Sequence, residues 1–442
     1  MTETPRVIPI IPIFTIGLEM LPLFCFEFEI LSAINFSMLK KIYLVHKNNK
    51  LIRFSALLIF LSHLVCAQSP VVIKDYTSVI IGSQQFDVYL AKLKDKRVGV
   101  VTNITGLVGK TSIVDTLLKL NVKIKKIFGP EHGFRNDADA GVNIKNSKDA
   151  RTGLTIVSLH GANKKPTKEQ LKDIDVLIYD IQDIGARFYT YISTMCYAME
   201  ACAENNKEFF VMDRPNPNGF YIDGPILQDE FKSFLGMHHV PIVYGMTCGE
   251  YAQMANNEGW LKNKVTCKLT IIPLKNYDRK ASYRLPVNPS PNIPNAEAVL
   301  LYPSLGLFEG TLMSLGRGTA FPFQVVGHPK YPDTTFCFIP KPSTISQEPR
   351  YFNQRCYGLD LRKENYLKVH PRKINLQWLM QVYKNLNQAG FFEMNFNYHS
   401  GNALLQEQIK NNVSEKDIRE SWQADLEAFK EIRKRYLLYP DF

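Results

Sequence analysis

Short apolar runs alternate with polar loops along the first half of this 442-residue chain. The runs are rich in Val, Ile and Phe, and this composition favours buried β-strands. The clearest strands are Val98–Val101, Val122–Phe128, Val176–Tyr179 and Phe209–Met212, and the pattern adds residues 154–159 and 268–273. Helical spacing of apolar residues predicts helices at 86–93, 112–120, 167–174, 186–205 and 247–258. This alternation predicts an α/β fold with a parallel sheet flanked by helices.

A proline-rich segment, Leu285–Pro294 (LPVNPSPNIP), interrupts the alternation. Proline removes backbone donors and fixes φ, so this segment is not expected to form regular structure. We place a domain boundary here, with a catalytic sheet domain at 68–294 and a smaller α+β domain at 295–442. The second domain carries predicted strands at 335–339 and 366–370 and predicted helices at 376–386 and 422–436. Folded over the strand ends, it would close a cleft into a pocket.

A short polar motif directly follows each of the four clearest strands. The motifs are Thr102–Gly106 (TNITG), Gly129–Phe134 (GPEHGF), Asp180–Arg187 (DIQDIGAR) and Asp213–Gly219 (DRPNPNG). In open parallel α/β sheets, ligands bind beyond the carboxyl ends of the strands. Loops that carry carboxylates, a His and two Arg residues would therefore meet in one crevice. This arrangement predicts an active site.

Glu131 and His132 lie between Gly129 and Gly133, which let the backbone turn sharply and approach a ligand. A Glu in such a place acts as a general acid or base when burial raises its pKa. The alternative is a turn in which both side chains cap the neighbouring backbone.

Asp180 and Gln182 are alternate residues of an extended segment, so they are expected to share a face. Gly185 is expected to start a helix whose N-terminal amides favour an anion. Arg187 in the first turn would oppose the helix dipole, so we expect a carboxylate partner for it. That partner is either internal, at Asp180 or Asp183, or on a ligand.

The segment Asp213–Asn218 is stiff, because two prolines hold it extended. Its Asp, Arg and amide side chains suit a hydroxyl-rich ligand, and the alternative is a plain turn. Beyond the boundary lie Glu309 and a glycine-rich run, Ser314–Thr319 (SLGRGT), that lacks the P-loop pattern. Arg317, between two glycines, indicates either a guanidinium near a ligand or a structural turn.

Several catalytic motifs are absent from the chain, namely HExxH, GxSxG and GxGxxG. Their absence weakens the zinc peptidase, serine hydrolase and dinucleotide-binding interpretations, and we expect neither a metal nor a cofactor. The formal charge of +11 is spread along the chain rather than concentrated in blocks. A mildly cationic surface suits an anionic polymer such as a cell wall, and nucleic acid is not an expected partner, although charge alone does not decide this.

The N-terminal residues 1–67 resemble an extension followed by an export signal. Basic residues at Lys47, Lys50 and Arg53 precede an apolar stretch that ends before Ala67, a small residue suited to cleavage. The stretch is short for a membrane span, so no stable span is expected after cleavage. We expect translation to start at Met38 and the protein to be exported, to the periplasm or cell envelope or as a secreted protein. The alternatives are a membrane-associated N-terminal segment and a lipid anchor at Cys66.

Taken in order, these motifs resemble the exo-β-N-acetylmuramidase (NamZ-like) family. The matching segments are Val98–Asn103, Phe128–Arg135, Tyr179–Tyr191, Asp213–Gly219, Asp223–Pro225, Gly245–Thr247, Gly249–Glu250, Pro289–Pro294 and Phe308–Thr319. The resemblance covers most of the chain from about residue 90 onward. It implies a Rossmann-like N-terminal domain, a smaller C-terminal domain and hydrolysis of β-1,4-linked N-acetylmuramic acid at the non-reducing end of peptidoglycan fragments.

Site roles follow from this resemblance as expectations. Catalysis is assigned to Glu131 as acid/base with His132 beside it, and to Asp180 or Asp183, which would activate water or orient the acetamido group. Substrate contacts are expected from Asn103, Gln182, Arg187, Tyr189, Asp213, Arg214, Asn216, Asn218, Glu309 and Arg317. The lactyl carboxylate of muramic acid would pair with Arg187, Arg214 or Arg317. The alternatives are a non-catalytic saccharide-binding protein and a metal-assisted hydrolase that uses His132, Asp180 and Asp183.

Overall fold

The computed structural model describes residues 79–135, 147–280, 283–363 and 372–442. The expected export signal, the Met38 start, Cys66 and the predicted strand 366–370 lie outside the described residues. Within the described ranges, no helix combines the length and the apolar character that a bilayer crossing requires.

The strands, numbered in chain order, are β1 (Arg97–Thr102), β2 (Leu107–Val108), β3 (Thr111–Ser112), β4 (Lys123–Gly129), β5 (Ser147–Lys148), β6 (Thr155–Ser158), β7 (Val176–Asp180), β8 (Glu208–Met212), β9 (Lys268–Ile272), β10 (Val325–His328), β11 (Cys337–Phe338) and β12 (Cys356–Asp360). The helices are α1 (Phe86–Leu93), α2 (Ile113–Lys119), α3 (Lys168–Leu171), α4 (Tyr191–Glu204), α5 (Cys248–Asn257), α6 (Ala296–Leu305), α7 (Leu376–Leu386), α8 (Phe396–Ser400), α9 (Leu404–Lys410), α10 (Glu415–Glu420) and α11 (Gln423–Lys434).

A seven-stranded sheet in the order β5-β6-β4-β1-β7-β8-β9 forms the centre of the fold. The strands from β6 to β9 in this order pair in parallel, and β5 is antiparallel to β6. Strand β7 is buried at every position, which is why its sequence is a continuous apolar run rather than an alternating one. The predicted parallel α/β sheet is confirmed.

Register brings the four polar motifs to one edge of the sheet. Val101 at the end of β1 pairs with Phe128 of β4 and Tyr179 of β7, and Tyr179 pairs with Val211 of β8. Each of these strands therefore delivers its following loop to the same side of the molecule, as expected from the strand ends.

The helix predicted at 186–205 begins at Tyr191, five residues later than predicted. The reason is a competing contact: Ala186 forms a bridge with Val243, and the Arg187 amide donates to the Ile242 carbonyl. The backbone at 186–187 is therefore held by a neighbouring loop, and Arg187 does not lie in the first turn of α4. From Tyr191 onward α4 is buried at eleven of its fourteen positions.

The C-terminal part is smaller and contains an antiparallel sheet in the order β10-β12-β11 and the helices α6–α11. As expected, residues 285–294 form neither helix nor regular strand. The helix α6 was not predicted, and the strand predicted at 335–339 is reduced to Cys337–Phe338. Aromatic contacts join this part to the loop after β7; the Phe188 and Tyr302 rings, for example, lie 5.5 Å apart.

Candidate active site

A cavity of about 270 Å³ lies where the loops beyond the strand ends meet the C-terminal part. Its described lining comes from the loop after β4, the entry to α4, the proline-rich segment, α6 and the loops around Glu309 and α8. The lining residues are Glu131, His132, Phe188, Tyr189, Thr190, Tyr191, Leu235, Ser290, Asn292, Ile293, Tyr302, Glu309, Arg317, Phe323, Asn395 and His399.

A larger cavity of about 430 Å³ lies beside α5 and β9. The described residues that line it carry no carboxylate, His, Lys or Arg side chain. Burial raises the pKa of the Cys267 thiol, which also lines this cavity, and keeps it protonated. The smaller cavity, whose lining includes Glu and His side chains, is therefore the candidate site.

The loop after β4 reverses sharply and presents Glu131 to the cavity. His132 and Gly133 both adopt positive φ, at 70° and 77°, and the Gly133 amide donates to the Pro130 carbonyl at 3.0 Å. A non-glycine residue in this region is uncommon and marks a constrained turn. The Thr190 hydroxyl at the entry to α4 donates to Glu131 Oε2 at 3.1 Å, which orients the carboxylate.

The far end of the same loop is anchored by an ion pair. The Arg135 side chain donates to both carboxylate oxygens of Asp149, at 2.7 and 2.9 Å. Asp149 is buried, and its hydrogen bonds from Arg135 lower the pKa of Asp149 to about 2. The Glu131 turn is therefore held between strand β4 and this pair.

Two tyrosines at the entry to α4 form one wall of the cavity. The Tyr189 hydroxyl donates to the Pro289 carbonyl at 2.8 Å, which ties the wall to the proline-rich segment. The Tyr191 hydroxyl is hydrogen-bonded to the Asn103 side chain, whose Oδ1 accepts from the Thr105 amide and hydroxyl at 2.9 and 2.6 Å. Asn103 thus supports Tyr191 from behind and does not itself line the cavity. Burial raises the pKa of Tyr191.

Glu309 and Arg317 form another part of the cavity lining. Arg317 Nη2 donates to Glu309 Oε1 at 2.6 Å, and the guanidinium lies over the Phe323 ring at 5.0 Å. Burial disfavours the guanidinium charge, but the Glu309 carboxylate outweighs it and raises the pKa of Arg317. His399 Nε2 lies 4.0 Å from Glu309 Oε2, while its Nδ1 lies 3.1 Å from the Asn395 carbonyl. A carbonyl only accepts, so Nδ1 carries a proton in this contact.

Asp180 and Arg214 satisfy each other below the cavity. Arg214 donates from Nε and Nη2 to the two oxygens of Asp180 at 2.6 and 2.9 Å, and from Nη2 to the Leu107 carbonyl. Both side chains are almost fully buried. Burial raises the pKa of the Asp180 carboxyl, and the Arg214 guanidinium opposes that shift. The structure therefore places these two predicted site residues in an internal pair rather than in the cavity lining.

Asp183 is also buried, behind the tyrosine wall. Its Oδ2 accepts from the Gly185 amide at 2.7 Å and from the Tyr244 hydroxyl. Burial raises the pKa of Asp183 to about 6, although both hydrogen bonds favour the ionised form. Its charge adds to the effect of burial in raising the pKa of Tyr189 and Tyr191.

The prediction of an internal carboxylate partner for Arg187, at Asp180 or Asp183, is wrong. Its guanidinium donates to four backbone carbonyls, those of Pro225 and Val240 on one side and of His399 and Ser400 on the other. Burial lowers the pKa of Arg187 to about 9. The side chain joins the loop after β7 to α8 and does not line the cavity.

The remaining predicted residues below the cavity hold their loops together. Asp213 accepts from the Arg214 and Gly249 amides and from the Thr247 and Tyr439 hydroxyls. The three predicted amide side chains are buried and donate to backbone carbonyls: Gln182 to Pro215, Asn216 to Met246, and Asn218 to Ile184 and Val299. This network fixes the loops that carry the cavity wall.

Of the predicted site residues, the structure brings Glu131, His132, Tyr189, Glu309 and Arg317 together in the cavity lining. Sequence reasoning missed Thr190, Tyr191, Asn292, Tyr302, Asn395 and His399, which line it too. Asn292 lies in a segment that was interpreted as a domain boundary and as part of the family resemblance, without a site role, and Tyr302 lies in helix α6, which was not predicted. No sequence pattern distinguishes His399 from the other histidines.

The ligand set for the metal-assisted alternative is not assembled in the described ranges. His132, Asp180 and Asp183 do not converge, and no three His, Cys, Asp or Glu side chains there lie close enough to hold an ion.

Comparisons with known proteins place the chain in a family. Residues 98–297 match the N-terminal family model and residues 300–439 the C-terminal family model of exo-β-N-acetylmuramidase NamZ. The chain is 39% identical over 375 residues to the peptidoglycan β-N-acetylmuramidase NamZ of Bacillus subtilis (strain 168), covering 79% of this chain and 89% of that protein.

Two crystal structures of DUF1343 family proteins from Bacteroides fragilis NCTC 9343 are similar to this fold. One has 44% sequence identity and a TM-score of 0.77, covering 83% of this chain and 100% of that chain. The other has 32% identity and a TM-score of 0.71, covering 82% and 99%. Because the family models and the Bacillus relative span most of the sequence, this chain belongs to the exo-β-N-acetylmuramidase NamZ family.

Proposed function

We propose that this chain is an exo-acting glycoside hydrolase that releases N-acetylmuramic acid from the non-reducing end of peptidoglycan fragments, at β-1,4 linkages, in cell-wall turnover or recycling. The observation that carries the proposal is one cavity lined by Glu131, Glu309 and Arg317 in a chain that is 39% identical to a peptidoglycan β-N-acetylmuramidase. At about 270 Å³ the cavity is smaller than the roughly 300–1,000 Å³ of sites for drug-sized ligands. It suits a single terminal sugar ring, as exo action requires.

Glu131 is the acid/base in this proposal. Glycoside hydrolysis needs a proton for the leaving oxygen and stabilisation of an oxocarbenium-like transition state. The Thr190 hydroxyl binds Glu131 Oε2, and among the described residues no hydrogen bond engages Oε1. One carboxylate oxygen is thus held in place while the other remains available to the glycosidic oxygen.

Glu309 is the second carboxylate. Asp180 and Asp183 had been expected in this role, but their oxygens are buried among Arg214, Tyr244 and backbone amides, whereas Glu309 lines the cavity. Arg317 and His399 flank Glu309 and restrict its rotamers. In this position Glu309 would activate water or orient the acetamido group of the substrate.

A Glu131→Gln variant tests the proposal with a muramic-acid-terminated disaccharide as substrate. The amide keeps the shape but cannot supply the proton, so release of free N-acetylmuramic acid should fall by about 10²–10⁴-fold. Glu169→Gln is the matched control, because the Glu169 side chain is 83% exposed on α3. Circular dichroism and thermal melting should show both variants folded.

Near-normal turnover by Glu131→Gln would reject the role of Glu131. Binding of the disaccharide by the wild type without any product would instead favour a saccharide-binding protein. Loss of wild-type activity in EDTA would favour the metal-assisted alternative, so one assay separates the three functions.

We also propose that the chain is exported to the periplasm or cell envelope, or is secreted. This rests on the sequence pattern that runs from Lys47 to Ala67. N-terminal sequencing of the protein from its native cells should find Gln68 first, and peptides from residues 1–37 in that protein would contradict the expected start. Fatty-acid labelling that disappears in Cys66→Ser would establish a lipid anchor.

A further inference from the structure

We propose that Arg317 binds the lactyl carboxylate of the terminal sugar and so determines selection of N-acetylmuramic acid over N-acetylglucosamine. The two sugars differ by this lactyl ether, and its carboxylate is the charged group that distinguishes them. The inference rests on the proposed function and adds to it the residue that recognises the charged group of the substrate.

Charge placement in the structure singles out Arg317. Arg187 is fully buried and committed to four carbonyls, and Arg214 is committed to Asp180 and a carbonyl. Arg317 keeps 31% of its side chain exposed. Among the described residues that line the cavity, it is the only Arg or Lys. An anionic group that enters the cavity therefore meets one permanent cation among these lining residues.

The Arg317 guanidinium has donors to spare. It carries five N–H groups, and one hydrogen bond, from Nη2 to Glu309, is formed in the part of the chain that the structure describes. The Phe323 ring beneath it restrains the plane of the group. A planar guanidinium with a free edge binds a second carboxylate through two parallel hydrogen bonds.

The backbone around Arg317 is fixed in the orientation that this role needs. Gly316 and Gly318 have φ of 73° and 79°, a region that disfavours residues with a Cβ. A Cβ on Gly316 would lie 2.6 Å from the Val325 side chain, and one on Gly318 would overlap the Lys341 carbonyl. Both flanking residues are therefore pressed against neighbours, and the intervening side chain is directed at the cavity before substrate binds.

Glu309 acts as a positioning residue for this contact. Its Oε1 holds one edge of the guanidinium at 2.6 Å, so less side-chain freedom is lost when a ligand binds the other edge. The nearest approach of His399 Nε2 to this carboxylate is to its other oxygen, Oε2, at 4.0 Å.

The test compares two substrates with two proteins. The substrates are a chromogenic β-glycoside of N-acetylmuramic acid and its methyl ester, which keeps the lactyl shape but removes the charge. The wild type should hydrolyse the acid about 100-fold more efficiently than the ester, as expected for a charge-assisted bidentate contact. Arg317→Met should lower kcat/KM for the acid much more than for the ester, mainly through KM, so that the acid-to-ester ratio falls towards one.

Arg350→Met is the matched control. Arg350 forms a similar ion pair with Glu393, at 2.8 Å, and does not line the cavity. This variant should keep the wild-type preference for the acid over the ester. Arg317→Lys should recover part of the preference, because it restores the charge without the planar fork.

Equal loss on both substrates in Arg317→Met, or an unchanged acid-to-ester ratio, would overturn the inference. Failure of the proposed function gives a different result, because the wild type would then hydrolyse neither glycoside. In that case calorimetry with the free sugars still decides. Tighter binding of N-acetylmuramic acid than of N-acetylglucosamine by the wild type, with the difference removed in Arg317→Met, supports the inference. Equal binding of both sugars contradicts it.

Discussion

Arg187 Nη2 donates to the Ser400 carbonyl at 2.7 Å, across a separation of 213 residues in sequence. A second bond from the same nitrogen reaches the carbonyl of His399, whose ring lines the cavity. The loop that supplies Tyr189 and the helix that supplies His399 are thus joined by one buried guanidinium. Two parts of the cavity lining are therefore tied to each other through Arg187.

Gly401→Ala should test this joint. Gly401 has φ of 89°, and an added Cβ would overlap the Arg187 guanidinium. We expect a loss of about 2–4 kcal/mol in the free energy of unfolding, from backbone strain plus displaced hydrogen bonds. Gly390→Ala is the control, since Gly390 has φ of 74° with open space around it, and should lose only about 1 kcal/mol. Equal losses in urea unfolding of the two variants would show that the Arg187 contact adds nothing.

The Asp180–Arg214 pair predicts strong coupling in a double-mutant cycle. Arg214→Met alone leaves a buried carboxylate without its cation and should cost about 3–5 kcal/mol of stability. Asp180→Leu alone leaves the buried Arg214 guanidinium without its carboxylate partner, which is destabilising for the same reason. The double variant removes both charges and should cost less than the sum by about 2 kcal/mol or more. Additive losses in denaturant unfolding would contradict the assignment of an isolated internal pair.

Glu309 and Asp183 are the two candidates for the second catalytic carboxylate. Changing each carboxylate to its amide should show which of them acts in the reaction. Glu309→Gln changes a cavity-lining group, so kcat should fall by about 10²-fold or more while the melting temperature changes little. Asp183→Asn changes a buried group that accepts from Gly185 and Tyr244, so it should chiefly alter stability. Activity measured per folded molecule decides between them. The reverse pattern, with catalysis lost in Asp183→Asn and kept in Glu309→Gln, would return the role to Asp183.

His238 should make the protein less stable in acid. Burial lowers the pKa of His238 to about 3, below the ordinary unfolded value near 6.5. Its contribution to stability is therefore fully present above about pH 6.5 and is lost as the pH falls towards 3. At pH 5 the loss is about 2 kcal/mol, at about 1.4 kcal/mol per pH unit. Phe cannot titrate, so the His238→Phe variant lacks this pH dependence. Between pH 7.5 and pH 5, the free energy of unfolding of the wild type should therefore fall relative to that of the variant. If the free energies of unfolding measured in urea change equally with pH in both proteins, His238 is not the group responsible.

The parallel sheet, and the edge of the sheet at which the site lies, could be predicted from the sequence because both follow from the local pattern of residue types. The buried run Val176–Tyr179 and the turn signal around Glu131 are properties of neighbouring residues, and strand-end reasoning needs nothing more. The same reasoning cannot tell which side chain at that edge faces the ligand. Asp180 ends β7 and Glu131 follows β4, the two strands that flank β1, yet one is paired internally and the other lines the cavity.

The partners of Arg187 could not be predicted from sequence for a different reason. Its acceptors are backbone carbonyls, which every residue carries, so the contact leaves no pattern of residue types. His399 is similar, since its place beside Glu309 depends on how α8 packs, and a single His carries no spacing signal. Contacts of this kind are set by tertiary packing alone.

Glu131 and Arg317 belong to segments that two separate family models describe, residues 98–297 and 300–439, yet they face one cavity. A gene rearrangement that exchanged either segment alone would separate Glu131, to which we assign the acid/base role, from Arg317, to which we assign substrate recognition. Selection for the reaction therefore acts on both segments together, because a chain that loses either one loses part of the site. Genomes that encode one segment without the other should use it for a different purpose.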